Sequence, residues 1–360
     1  MRGDGHVMSV VRPVRLIGTL TFLTLSITVA AHAEELRPET VWIPMTDHDS
    51  AGAAYELHLE ATLYRPSKPE PFPVLLFNHG STGGMRRLPT KTLRYPSVAQ
   101  FFVERGFAVM IPMRRGRGAS EGEYGELSGC TPVVLSGGVE RGIADVEPAL
   151  TFLRKQSWAD PMRLVLGGMS RGGFLSVVYP SVHPVNARGI INFSGGWAAD
   201  WCNTAFNEEM FGRAGRATLP MLWLYTENDR NYGPASIRAY HRAFTSAGGS
   251  AQLQLYPPIG SDGHDLLLRS VMVWQPAVDD FVKRIGLPTS SVSPASLLGA
   301  RCRTAPENRR HTNDGCRRTG AIRQATEQGT PSTCQRQRQP APRTAGIESS
   351  PIPNALGVVA

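Results

Sequence analysis

The chain has 360 residues, 41% of them hydrophobic and 19% charged, too apolar for a disordered chain and long enough for one large α/β domain or two small ones. Its formal charge of +8 sits at the ends: residues 1–33 net +2, residues 289–360 net +6, and residues 34–288 balance 25 basic against 25 acidic groups. A neutral central segment lacks the phosphate-tracking surface of a nucleic-acid binder, so that class is excluded.

In chain order, Arg2, Arg12 and Arg15 precede an uncharged run from Leu16 to Ala30, and Ala31-His32-Ala33 offers a small-x-small cleavage site. This is the three-part pattern of a secretory signal peptide, 1–33, with cleavage before Glu34. The run falls short of the roughly 20 residues that span a bilayer, and no later segment is apolar enough. The sequence therefore predicts an exported, periplasmic or secreted protein with no membrane span after cleavage. At the other end, 289–360 contains no aromatic residue, its basic residues are all Arg, and it shows no helical or strand period. Such a composition predicts a disordered tail.

Between these ends, 34–288 reads as one domain. Predicted strands are Val41–Thr46, Leu57–Tyr64, Val74–Asn78, Ala108–Pro112, Arg163–Gly167, Gly189–Phe193, Met221–Thr226 and Gln252–Tyr256. Predicted helices are Pro96–Arg105, Gly138–Lys155, Arg171–Val182, Ala235–Ala247 and Gln275–Ile285. The later strands are short, nearly all apolar and separated by helices, which predicts a mostly parallel central sheet covered on both faces. In such a sheet the loops at the carboxyl ends of the strands carry the chemistry. The stretch after Phe193, through Trp197, Trp201, Phe206 and Phe211, reads as a small cap; its aromatics fit an apolar acyl pocket or plain packing equally.

The fifth strand runs into Gly168-Met169-Ser170-Arg171-Gly172-Gly173 and then into a helix. Strand, G-x-S-x-G and helix together form a nucleophile elbow, in which Gly168 and Gly172 leave room for a turn that exposes Ser170. The Arg171 N–H then opens a helix and points to where an oxyanion would form. A second match, Gly118-Ala119-Ser120-Glu121-Gly122, has no helix behind it, so context selects Ser170 over Ser120. A serine needs a base, and the base an orienting carboxylate, which follow the elbow as acid and then histidine. Asp229 lies three residues past the strand ending at Thr226, with Glu227 as its rival, and His264 follows the last strand in Gly260-Ser261-Asp262-Gly263-His264. The loop His79-Gly80-Ser81-Thr82-Gly83-Gly84 after the third strand reads either as a glycine-rich turn or, paired with the elbow, as the source of a second oxyanion donor, assigned to Ser81. Asn192-Phe193-Ser194 matches a glycosylation sequon but falls in a predicted buried strand. No phosphate-binding loop and no cluster at metal spacing is present, so neither cofactor nor metal is expected.

The ordered set LLFNHGSTGG, PMRRGRGASEGEY, LGGMSRGG, LWLYTENDRNY and GSDGHDLL resembles the dienelactone-hydrolase-like branch of the α/β hydrolases, over about residues 40–286. The resemblance implies the α/β-hydrolase fold and places Arg115–Ser120 in a loop beside the active site. Dienelactone hydrolases proper carry a cysteine nucleophile; Ser170 moves the reading towards esterases and prolyl-oligopeptidase-like peptidases, whose N-terminal propeller has no counterpart here. The expectation is a serine hydrolase acting on a small-molecule ester, with a peptidase or an idle, ligand-binding hydrolase fold as alternatives. Oligomeric state is not legible. Finally, Cys130 and Cys202 are the two cysteines of the central segment, and export would favour a disulfide between them.

Overall fold

The computed structural model describes residues 36–81, 91–126 and 129–289. The predicted signal peptide, the tail beyond Thr289, and Thr82, Gly83 and Gly84 lie outside the described residues.

Eight strands, β1 (Glu39–His48), β2 (Ala54–Tyr64), β3 (Phe72–Asn78), β4 (Ala108–Pro112), β5 (Ala159–Met169), β6 (Gly189–Phe193), β7 (Met221–Thr226) and β8 (Ala251–Tyr256), form one sheet in the order 1-2-4-3-5-6-7-8. The β1–β2 and β2–β4 pairs are antiparallel and the other pairs are parallel. The helices are α1 (Pro96–Val103), α2 (Pro132–Arg154), α3 (Arg171–Val182), α4 (Thr204–Ala214), α5 (Pro234–Ser246), α6 (Leu266–Arg269) and α7 (Val271–Arg284). Among the described residues no helix is long and apolar enough to cross a membrane.

The all-apolar strands serve two cores at once, because successive side chains leave opposite faces of a strand. Leu164, Leu166, Met221, Trp223 and Tyr225 face the core made with α2, α3, α4 and α5, whereas Val165, Leu222 and Leu224 face the core made with α1 and α7. This is the two-faced, mostly parallel sheet that the sequence predicts.

One predicted feature resolves differently from its sequence reading. The stretch after β6 contains a helix, α4, whose start is capped by Asn203 accepting from the Phe206 N–H at 3.2 Å. Phe206 and Phe211 belong to the core: the Phe211 ring meets those of Phe174, Trp223 and Tyr240 at 5.1, 4.8 and 5.6 Å. Packing, not a substrate pocket, explains these two. Trp197 and Trp201 instead face the cleft described next. The sequon asparagine, Asn192, is fully buried and donates to Tyr225 Oη at 3.0 Å.

Candidate active site

Five loops at the carboxyl ends of β3, β5, β6, β7 and β8 meet around a cleft of about 1250 Å³ whose lining includes Ser81, Ser170, Arg171, Trp197, Tyr232 and His264. Ser170 sits between β5 and α3 with φ 54° and ψ −125°, a left-handed conformation that a side chain rarely adopts. Two flanking glycines make this turn possible. A Cβ on Gly172 would run into the Asn78 carbonyl oxygen, and one on Gly168 into the Gly172 backbone. The Ser170 N–H is held by the Phe193 carbonyl at 2.9 Å, which ties the elbow to the end of β6.

Past β7, Asp229 is buried and accepts from the N–H groups of Asn231 at 2.8 Å and Tyr232 at 3.1 Å. Its two carboxylate oxygens face His264 Nδ1 at 2.9 and 3.1 Å. His264 itself is fixed by Asp262, which accepts its backbone N–H at 3.0 Å. The tight turn requires Gly263, since a Cβ there would collide with Thr226 Oγ1. The rival acid Glu227 is exposed and meets β8 through its backbone, its N–H donating to the Tyr256 carbonyl at 2.9 Å. The structure thus sets Ser170 and His264 on one cleft, with Asp229 bonded to His264 from beneath, and leaves Glu227 out of the lining.

The loop after β3 is braced from behind. The Gly80 N–H is taken by Tyr95 Oη at 2.9 Å, while Ser81, the next residue, reaches the cleft. His79 is fully buried, with Nδ1 against the Gly80 carbonyl at 2.6 Å and Nε2 against the Arg114 N–H at 3.1 Å. Arg114 also donates to the His79 carbonyl at 2.8 Å and pairs with buried Glu126. Glu126 in turn accepts from Arg171 at 3.2 Å, and the Arg171 guanidinium lies 4.6 Å over the Trp197 ring. Burial raises the Glu126 pKa, but Arg114 and Arg171 outweigh it and hold the carboxyl down at about 2. One ionic chain therefore joins the loop after β3 to the first residue of α3, the two segments that carry the predicted oxyanion donors.

The second pentapeptide has a structural task. Ser120 is buried, its hydroxyl donating to the Met113 carbonyl at 2.7 Å and accepting the Glu60 N–H at 2.8 Å. No residue of Arg115–Ser120 lines the cleft; Arg115 pairs with Asp145 at 2.5 Å and Asp47 at 2.6 Å. The stretch lies one layer behind the lining: Glu60 accepts from the Ala119 N–H at 2.7 Å and from cleft-lining Thr92 at 2.8 Å, and the neighbouring Arg114 N–H donates to His79 Nε2 below the loop after β3. Sequence reasoning gave no role to Arg114, Glu126 and Tyr232: Arg114 and Tyr232 lie inside the runs PMRRGRGASEGEY and LWLYTENDRNY, but what each of the three does depends on contacts between distant segments. At the cleft rim, Cys130 and Cys202 form the expected disulfide, with Cα atoms 5.2 Å apart. Trp201, beside it, is 80% exposed.

A family model described as X-Pro dipeptidyl-peptidase (S15 family) matches residues 56–218, which takes in the loop after β3 and the Ser170 elbow but ends before Asp229 and His264. The quorum-quenching protein AidA of Acinetobacter baumannii (strain MDR-ZJ06) is 28% identical over 131 residues, a match that spans 36% of this chain and only 38% of that relative. Among solved structures, Est1E from Butyrivibrio proteoclasticus, with ferulic acid bound, is similar at a TM-score of 0.50 and 16% identity, covering 68% of this chain and 98% of Est1E. The acylaminoacyl peptidase of Pyrococcus horikoshii is similar at a TM-score of 0.50 and 14% identity, covering 72% of this chain and 43% of that longer protein. At such identities the likeness is one of fold, and the fold is that of the α/β hydrolases, as the motifs predict.

Proposed function

We propose that the protein is a serine hydrolase that cleaves carboxylic esters through an acyl-enzyme on Ser170. The observation that carries this reading is the Asp229–His264 hydrogen bond set beside a serine on a strained elbow. In the proposed triad, His264 Nε2 takes the Ser170 proton as Oγ bonds to the acyl carbon and then gives it to the leaving alcohol. Asp229, bonded to Nδ1, keeps the ring in the tautomer whose Nε2 is free to accept. The N–H groups of Ser81 and Arg171 would hold the tetrahedral oxyanion, and the Glu126 network would keep these two donors in register. Water repeats the sequence and releases the acid.

A second reading, removal of Xaa-Pro dipeptides, is favoured by the family match over residues 56–218. Such a substrate presents a free N-terminal ammonium and calls for an available carboxylate in the cleft. Besides the Asp229 beneath His264, the acid at the described cleft wall is Asp265, already paired with Arg269 at 2.7 Å, while Lys91 and Arg94 add positive charge. That balance favours esters. Export is part of the proposal, supported by the signal-like N-terminus and by a disulfide, a bond that persists in oxidising compartments. A panel of p-nitrophenyl esters of graded chain length, run beside Xaa-Pro anilides, tests the reading. Ester turnover with no anilide cleavage is expected, and the reverse would establish the peptidase.

A further inference from the structure

Tyr232 occupies a position that the triad does not account for. It follows Asp229 by three residues, and its backbone N–H is fixed on Asp229 Oδ1 at 3.1 Å. The side chain is only 3% exposed, yet it lines the cleft with Ser170 and His264. Its ring meets the His264 imidazole edge-on, with centroids 5.6 Å apart and planes inclined by 61°. Its hydroxyl lies in the same part of the cleft as the Ser170 side chain. This approach needs a glycine at 196, because a Cβ there would overlap Tyr232 Cζ and lie 2.7 Å from its hydroxyl oxygen. Gly196 is held in place by its own N–H on the Ser170 carbonyl at 3.3 Å, and the Gly195 carbonyl accepts from Tyr225 Oη at 2.6 Å. The loop after β6 thus keeps open a slot beside the nucleophile, and a phenol fills it.

Packing alone would be served by phenylalanine. We propose, building on the serine-hydrolase reading above, that the Tyr232 phenol is a catalytic group that donates a hydrogen bond to Ser170 Oγ and stabilises the charge this oxygen carries as it attacks and as it leaves. Proton accounting sets the direction of the bond. Ser170 has a single hydroxyl proton, which must pass to His264 Nε2 while the Oγ–C bond forms, so the proposed bond from Tyr232 to Oγ uses the phenol's own proton. His264 then protonates the leaving alcohol as its bond to carbon breaks. Water next adds to the acyl carbon and gives its proton to His264; the Oγ–C bond breaks and Oγ regains the proton from His264. Tyr232 keeps its proton throughout. Burial, and then the nearby Asp229 charge, hold its pKa far above the ordinary phenol range, so it serves as a donor and not as a base. A donor aimed at an oxygen whose charge grows in the transition state lowers the barrier.

Tyr232→Phe removes the hydroxyl and keeps the ring. The rate of fluorophosphonate labelling at Ser170 and kcat for p-nitrophenyl acetate should both fall about tenfold, equivalent to about 1.4 kcal/mol for one lost donor. KM should stay within about twofold and the melting midpoint should not move. Gly196→Ala, which displaces the phenol, should give the same fall, and the combined variant no further one. Equal labelling and turnover in wild type and Tyr232→Phe, or a change confined to KM, would overturn the role and leave the serine-hydrolase reading standing. A wild-type protein that takes up no fluorophosphonate would overturn both.

Discussion

Acidification should weaken the protein through one buried residue, His79. Its two ring nitrogens have opposite duties: Nδ1 must donate to the Gly80 carbonyl, and Nε2 must accept the Arg114 N–H. Only the neutral Nδ1–H tautomer satisfies both. Burial, followed by the neighbouring Arg114 charge, holds the His79 pKa down at about 3, against an ordinary 6.5. The unfolded chain therefore takes up a proton that the folded chain refuses, and stability is lost as pH falls from about 6.5 towards 3, at about 1.4 kcal/mol per unit. Between pH 7 and pH 5 the loss amounts to about 2 kcal/mol. Asp145 acts in the same window with the opposite sign. Burial pushes its carboxyl up to about 6 against the pull of Arg115, so the folded state gains its proton first and stability rises as pH falls. Comparison with His79→Asn, which leaves Asp145 in place, cancels that contribution. Urea unfolding at pH 7 and pH 5 should show the wild type losing about 2 kcal/mol more than the variant. Equal pH dependence in the two proteins would refute the neutral, doubly bonded imidazole.

Exchanging the two pentapeptide serines separates their tasks: Ser170→Ala should lower ester turnover by at least about 10⁴-fold, whereas Ser120→Ala should keep most activity and lose about 1–2 kcal/mol of stability in urea unfolding, because the Glu60 N–H and Met113 carbonyl lose their partner. Asp229→Asn should reduce kcat about 10⁴-fold by presenting the wrong tautomer of His264, while exposed Glu227→Gln should leave kcat within about twofold; equal losses would reassign the acid. A digest without reductant should release the Cys130 and Cys202 peptides as one linked species, and Cys130→Ser with Cys202→Ser should lower the melting midpoint. With a sequence separation of 72 residues, the chain-entropy value of that bond is of order 4 kcal/mol, commonly less in practice.

Where burial on both faces is complete, the sequence announces the fold. Strands β4, β6 and β7 and helix α3 begin and end where the apolar runs and their bounding residues predict. Helix α2 starts at Pro132, ahead of the predicted start at Gly138, so that Gly137 and Gly138, weak helix formers, lie inside it. Gly138 and Gly142 have another purpose in the folded chain: a Cβ on them would lie 3.0 Å from Trp197 and 2.9 Å from Leu175. Helix α4 escapes because Asn207, Glu208 and Glu209 interrupt its apolar face, and its start depends on the Asn203 cap. The candidate site was legible wherever chemistry and spacing coincide, as at Ser170, Asp229 and His264. Glu126 and Tyr232 were not, since their meaning comes from neighbours, Arg114 and Arg171 in one case and Ser170 and Gly196 in the other, that only the fold assembles.

The central claim is that Ser170 forms a covalent acyl-enzyme. Wild-type protein mixed with a p-nitrophenyl ester and quenched in acid during turnover should gain the mass of one acyl group, and peptide mapping should place it on Ser170. Ester hydrolysis with no adduct, or an adduct on Ser120, would contradict the account.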